Sequence, residues 1–437
     1  MASIKLHIFT TGLLAVAATQ AQTDPGPRPG PPPVTRPLAG LTAYELAYFQ
    51  EGLSRFQEVD SVSGTQPGAA GSGLGPRFNG NSCAQCHAHP SVGGTSPRVN
   101  PQVAMATSFG AQNRVPSFIR QNGPVRVVRF RKNADGSADG GVHALFVVSG
   151  RSDAPECRIT QPDFDEAMRQ RNASFRIPTP VLGAGLIESI SETTILNNMN
   201  ANAAQKRALG IGGHENRNGN DGTITRFGWK AQNKSLLLFA GEAYNVEQGV
   251  TNELFPNERE EGPGCSLNDT PEDHMHLDAT GAMDGMGDLM GFMQFMRLSA
   301  PPTPGQPNPA QQRGSDVFAQ IGCAQCHTPM LRTGPSSTPA LSQKPVHLYS
   351  DLVVHNMGHG LSDGVAQGSA GTDEFRTAPL WGLGSRLFFL HDGRTADLTE
   401  AVRAHQSMGS EANRVIDNFN QILPSMRQDL IDFLRAL

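Results

Sequence analysis

The pentapeptide Cys-Ala-Gln-Cys-His occurs twice, as Cys83–His87 and Cys323–His327, and nothing else in the chain restricts its fold as much. Cys-x-x-Cys-His is the attachment signature of a c-type haem. Two thiols at this spacing add across the porphyrin vinyls, and the adjoining histidine swings under the plane to ligate the iron. Zinc knuckles also use Cys-x-x-Cys. Here, however, both copies carry the histidine directly, and the remaining cysteines, Cys157 and Cys265, are single and distant. The reading is two covalently bound haem c groups, one on Cys83, Cys86 and His87, the other on Cys323, Cys326 and His327.

The N-terminus fits that reading. Residues 1–21 run from Lys5 through an apolar stretch, Gly12 to Ala18, to small residues ending at Ala21. This is the order of a secretory signal peptide, and the apolar run is too short to span a bilayer. Covalent haem attachment takes place outside the bacterial cytoplasm, so a soluble periplasmic protein is expected, with no membrane span. A net charge of −5 speaks against a nucleic-acid partner. In an oxidising compartment Cys157 and Cys265 are expected to pair. Two unrelated thiols, or a redox-active pair, are the alternatives.

Only 38 % of residues are hydrophobic, and 48 glycines and 32 prolines mark a chain that spends much of its length in loops. After the leader comes a proline-rich lead, 22–37, expected to be extended and poorly ordered. An elaborated haem domain over 38–299, a linker over 300–310 and a compact cytochrome c-like domain over 311–437 follow. Leu46, Phe49, Leu53 and Phe56 are spaced as one buried helix face. Val125–Phe130 and Ala144–Val148 read as a β-hairpin. Met286, Met290, Met293 and Met296 read as core filler on a helix ending at Leu298. Gly314 and Phe318 lie on a helix leading into Cys323, and Met426, Leu430, Phe433 and Leu437 form the apolar face of the last helix. The expected fold is mainly α with long loops and a small β-hairpin insertion, built as two cytochrome c-like haem domains.

Three C-terminal segments, Phe375–Gly384, Phe389–Thr395 and Leu398–Val402, resemble the C-terminal haem domain of the bacterial di-haem cytochrome c peroxidase and MauG superfamily. Arg77–Ser82, Phe175–Pro180 and Arg226–Ala231 make the pattern most similar to its di-haem oxidoreductase branch, sometimes described as thiol oxidoreductases. The resemblance covers nearly all of the chain beyond the leader. It implies a periplasmic di-haem enzyme that reduces peroxide, or another small oxidant, at the N-terminal haem. Electrons would enter through the C-terminal haem from a small donor of the cytochrome c or cupredoxin type. In these peroxidases the sixth ligand of the C-terminal haem follows an Ala-Val pair, which here points to His405. His355, Met357 and His359 are its rivals.

The first haem is less defined. The family's displaceable distal histidine has no counterpart in the loop 88–101, where His89 is too close to His87 to reach the opposite face. That haem is expected to be open, or ligated from afar by His143 or His214. Peroxide cleavage needs an acid–base group over the open face, and Glu188, after Pro178-Thr179-Pro180, is the candidate, with Glu242 and Glu247 as weaker ones. Trp229 or Trp381 would lie between the haems, Trp381 having the better motif context. The family's calcium site would use backbone oxygens at Thr377 and Pro379 together with an Asn, whose place is taken by Ile177, so calcium is a doubtful further cofactor. The rival readings are a non-enzymatic electron-transfer or redox-sensing cytochrome with both irons fully ligated, and a di-haem oxygenase.

Overall fold

The computed structural model describes residues 22–30, 34–259, 262 and 264–437, so the expected leader lies outside the described residues. Two helix pairs organise the molecule. In the first, Ala43–Gln57 packs against Asp288–Leu298; in the second, Pro309–Ile321 packs against Pro424–Leu434. The leading helix of each pair begins with a reciprocal cap that satisfies two otherwise unpaired N–H groups. Thr42 and Glu45 form the first, and Asn308 and Gln311 the second, where Pro309 also pre-sets the first helical turn.

Both crossings depend on glycine. A Cβ on Gly52 would lie 2.2 Å from the Gly291 carbonyl oxygen, and one on Gly314 would lie 2.0 Å from that of Asp429. The close approach lets Phe56 reach Phe292 and Phe295, and lets Phe318 reach Phe433 at 5.6 Å between ring centroids. Gly314→Ala is therefore expected to force the second pair apart, at about 1–3 kcal/mol for overpacking. A urea melt of the variant beside the parent measures it.

The first predicted helix face is right at Phe49 and Phe56, which are buried, with Gly52 between them; Leu46 is instead 37 % exposed. Met286, Met293 and Met296 are core residues, as expected, and the helix ends at Leu298. The small β-hairpin is a larger construction. Val127–Phe130 forms the centre of a three-stranded antiparallel sheet, paired with Val142–His143 on one side and Ala173–Arg176 on the other. Phe146–Val147, expected in that hairpin, pairs with Arg77–Phe78, directly before the first Cys-x-x-Cys-His. Alternation in sequence located these strands but could not choose their partners, because pairing is set by non-local packing.

Described residues of the proline-rich lead are pinned rather than loose. The Asp24 carboxylate takes two bonds from Arg435, at 2.6 and 2.7 Å, and caps the Leu398 N–H at 2.8 Å. Arg435 is 5 % exposed, so this is a buried ion pair tying residue 24 to the last helix. The main apolar cluster also crosses the 300–310 linker: Leu331, Leu348, Val353 and Trp381 pack with Phe56, Leu186 and Phe295. A buried charge triad joins the halves again. Asp363 is 2.7 Å from Arg176 and 3.3 Å from Lys230, all three nearly inaccessible. Cys157 and Cys265 form a disulfide.

Candidate functional site

Each helix pair roofs a large cavity that carries one Cys-x-x-Cys-His on its wall. The first, about 1170 Å³, is lined by Cys83, Cys86, His87, Phe56 and Phe292, and the second, about 1320 Å³, by Cys323, Cys326, His327 and Phe318. In each motif one turn brings the histidine N–H back to the first cysteine carbonyl, at 2.9 Å, so thiols and imidazole come from a single turn. His87 Nδ1 bonds the Gly94 carbonyl (3.1 Å) and His327 Nδ1 the Tyr349 carbonyl (3.0 Å). A carbonyl on Nδ1 fixes the tautomer and leaves Nε2 as the nitrogen for a metal. Burial holds both imidazoles neutral, pulling their pKa down to about 4.

The chemistry of the walls fits a group that is apolar in its body and anionic at its edge. Arg129, 8 % exposed, faces the first cavity with its Nε unpartnered. Arg376 and Arg386 line the second, both pulled down to about 10 by desolvation, and neither is paired with a carboxylate among the described residues. Buried cations of this kind need a counter-charge, and haem propionates supply one. Zinc does not fit. A structural zinc site takes four converging ligands, and no such set is assembled around either motif among the described residues. Among the described residues, the one convergence of three metal-ligand side chains is Cys326, Asp351 and His355. His355 is occupied there on both nitrogens, by Asp351 Oδ2 at 2.9 Å and Glu411 Oε2 at 2.7 Å.

That double engagement also decides among the rivals at the second cavity. Asp351 and Glu411 flank His355 and occupy both of its ring nitrogens, which leaves neither free for a metal. His359 does not line the cavity. His405 does, at the end of the short helix Leu398–Arg403. Its Nδ1 is tied to the Ala401 carbonyl at 2.8 Å, the same arrangement as in His327, and His405 is close enough to add to the burial that depresses the protonation of His327. Met357 lines the cavity as well.

No second histidine reaches the first cavity among the described residues. His89 bonds the Ser385 carbonyl, His143 bonds Asp139 and stacks on Phe130, and His214 bonds Glu374. Glu188, the expected acid–base residue, is also elsewhere. Its carboxylate pairs with Arg297 at 2.7 Å and accepts the Leu236 N–H at 2.8 Å, bracing the start of helix Leu236–Ala243. Two other carboxylates, Glu242 and Glu247, line the cavity instead.

The helix Leu236–Ala243 continues as a π-turn over Tyr244–Gln248. Residues 242 and 247 are five apart, which on an α-helix places them about 140° from each other. The wider π-turn brings them towards one face, and such turns recur at functional sites. Its freed carbonyls are used too: Glu247 O accepts the N–H groups of Asn79 and Gly80, and Asn79 Nδ2 bonds Val246 O. This explains the Arg77–Ser82 segment, which anchors the turn beside the first motif. Desolvation pushes the Glu247 carboxyl up to about 7, against the pull of Arg129 and Arg259.

Trp229, not Trp381, separates the cavities. It lines both, with its indole N–H on the Ile177 carbonyl at 2.9 Å and its ring edge-on to His391. Trp381 belongs to the apolar cluster, against Gly183. At the expected calcium position, Thr377 O takes the Ser350 hydroxyl and the Arg386 guanidinium approaches Pro379 O.

Residues 127–437 match the family model described as "Di-haem oxidoreductase, putative peroxidase". The chain belongs to this family. No curated protein matches it. Among solved structures it is similar to hydrazine synthase from Kuenenia stuttgartiensis, at 19 % identity over 36 % of this chain and 56 % of that one, TM-score 0.23. It is also similar to a MauG-like protein associated with microbial copper homeostasis, at 19 % identity over 34 % and 52 %, TM-score 0.24. A variant of the dihaem peroxidase BthA from Burkholderia thailandensis aligns over 92 % of this chain and 86 % of its own, at 16 % identity and TM-score 0.33. The chain spans about half the length of the first two.

Proposed function

We propose that this is an exported, periplasmic peroxidase in which haem c at Cys83, Cys86 and His87 reduces peroxide. Cys323, Cys326 and His327, with His405 as a second imidazole, would hold the haem c through which electrons from a small donor protein enter. The observation that carries the assignment is the contrast between the cavities. The second presents two imidazoles with matched Nδ1 anchors. The first presents one imidazole and, in place of a second, the carboxylates Glu242 and Glu247. Two strong ligands suit electron transfer, and an open position suits a small oxidant.

Haem iron bound in the first cavity supplies the electrons that cleave the peroxide bond. The side chains move the proton. Glu247 Oε takes it from one peroxide oxygen and returns it to the other, so that the departing oxygen leaves as water. A carboxyl pushed up to about 7 is poised for both halves of that transfer. Apolar walls from Phe56, Phe292 and Val127 keep bulk water from competing. Trp229, lining both cavities, is placed to carry the electron between them. The Cys157–Cys265 disulfide supports an oxidising compartment.

Haem content tests the assignment first. Denatured protein should keep two haems per chain and reduce added peroxide, and replacing Cys83 and Cys86 together should leave one haem and no peroxide turnover. Full haem retention in that double variant would refute covalent attachment.

A further inference from the structure

Tyr244 stands between two compartments. It lines the first cavity, and it also forms part of a polar recess of about 750 Å³ lined by Glu51, Arg55, Glu58, Glu272, Asp273 and Asp288. The side chain is 2 % exposed and held edge-on by Phe292, 4.9 Å between centroids. Its hydroxyl donates to Asp288 Oδ2 at 3.0 Å, while Asp288 Oδ1 takes Arg55 at 2.7 Å. Asp60, Asp273 and Asp288 all bear on the phenol, and with burial they keep it protonated.

A phenol that loses an electron becomes a strong acid, so its oxidation is feasible only where a base already holds the hydroxyl proton. Asp288 is that base, its Oδ2 already accepting the Tyr244 hydroxyl. The recess places the same hydroxyl at the edge of a polar path leading away from the haem. We propose that Tyr244 is an oxidisable relay between the first haem cavity and the Asp288 recess. In the step, one electron passes from the ring to the haem cofactor after that cofactor has given two electrons to peroxide. The proton passes from Tyr244 Oη to Asp288 Oδ2, and a neutral phenoxyl remains. A small one-electron reductant restores the ring as Asp288 returns the proton. The relay thus rests on the peroxide reaction proposed above.

The test is freeze-quench electron paramagnetic resonance of the holoprotein mixed with hydrogen peroxide, with haem absorbance read on the same samples. A phenoxyl signal is expected, with a splitting that changes when the protein is made with ring-deuterated tyrosine. Tyr244→Phe should abolish it, and Asp288→Asn should slow its appearance by about 10²-fold, the contribution of a positioned base. If the haem absorbance responds and the signal is unchanged in Tyr244→Phe, the relay is overturned and the peroxidase stands. If the parent's haem absorbance does not respond to peroxide, the peroxidase reading falls and the relay with it.

Discussion

Glu247→Gln is expected to slow peroxide turnover by about 10²–10⁴-fold, the usual contribution of a positioned acid–base group. Glutamine keeps the shape and the hydrogen-bonding capacity of the side chain but cannot take up and release a proton. The pH dependence supplies a second signature. With its carboxyl pushed up to about 7 by desolvation, Glu247 gains its basic form as pH rises through that value. The parent rate should therefore climb across pH 6–8 and the variant profile should be flat there. The sign for stability is opposite. A carboxyl raised above its ordinary 4.5 is easier to bury protonated, so this group weakens the fold progressively as pH rises from about 4.5 to 7. Glu188→Gln is the internal comparison. It removes the Arg297 ion pair and should lower thermal stability while leaving the rate's pH profile in place. A flat pH profile in the parent would remove Glu247 from the mechanism.

His405→Ala is expected to convert the second haem from low-spin to high-spin, because it removes the second imidazole lining that cavity whose Nδ1 is anchored on a backbone carbonyl as that of His327 is, whereas His391, which also lines it, is stacked on Phe375. His355 cannot replace it while Asp351 and Glu411 hold both of its nitrogens. His405→Met separates loss of a ligand from loss of packing. It should keep the haem low-spin and raise its potential, as Met/His ligation does. Absorption spectroscopy with a redox titration of the two variants measures both effects. An unchanged spin state in His405→Ala would transfer the ligand role to Met357 or His391.

Some of this site was legible in the sequence for a physical reason. The haem motifs and the His405 position are local: spacing within one turn, or within one helix after a recognisable segment, fixes where those side chains project. The same holds for the glycine at residue 314 and the apolar faces of the helix pairs. Glu247 was harder to place, because residues 242 and 247 diverge on the α-helix that a 3.6-residue period predicts, and only the π-turn brings them towards one face. Glu188 misled for the complementary reason. It sits in the right stretch of chain, but Arg297, over a hundred residues away, claims its charge. Trp229 outranks Trp381 because the fold brings residues 176–178, 229 and 391 together, a long-range arrangement no local motif encodes. The strand partners and the pinning of Asp24 to Arg435 were hidden in the same way.

Electron paramagnetic resonance of the oxidised resting protein tests the central claim most directly, because it counts the two kinds of iron in one spectrum. One high-spin and one low-spin haem per chain is the predicted result, with the low-spin signal alone lost in His405→Ala. Two low-spin haems in the parent would mean that a protein side chain closes the first cavity, and would contradict the account.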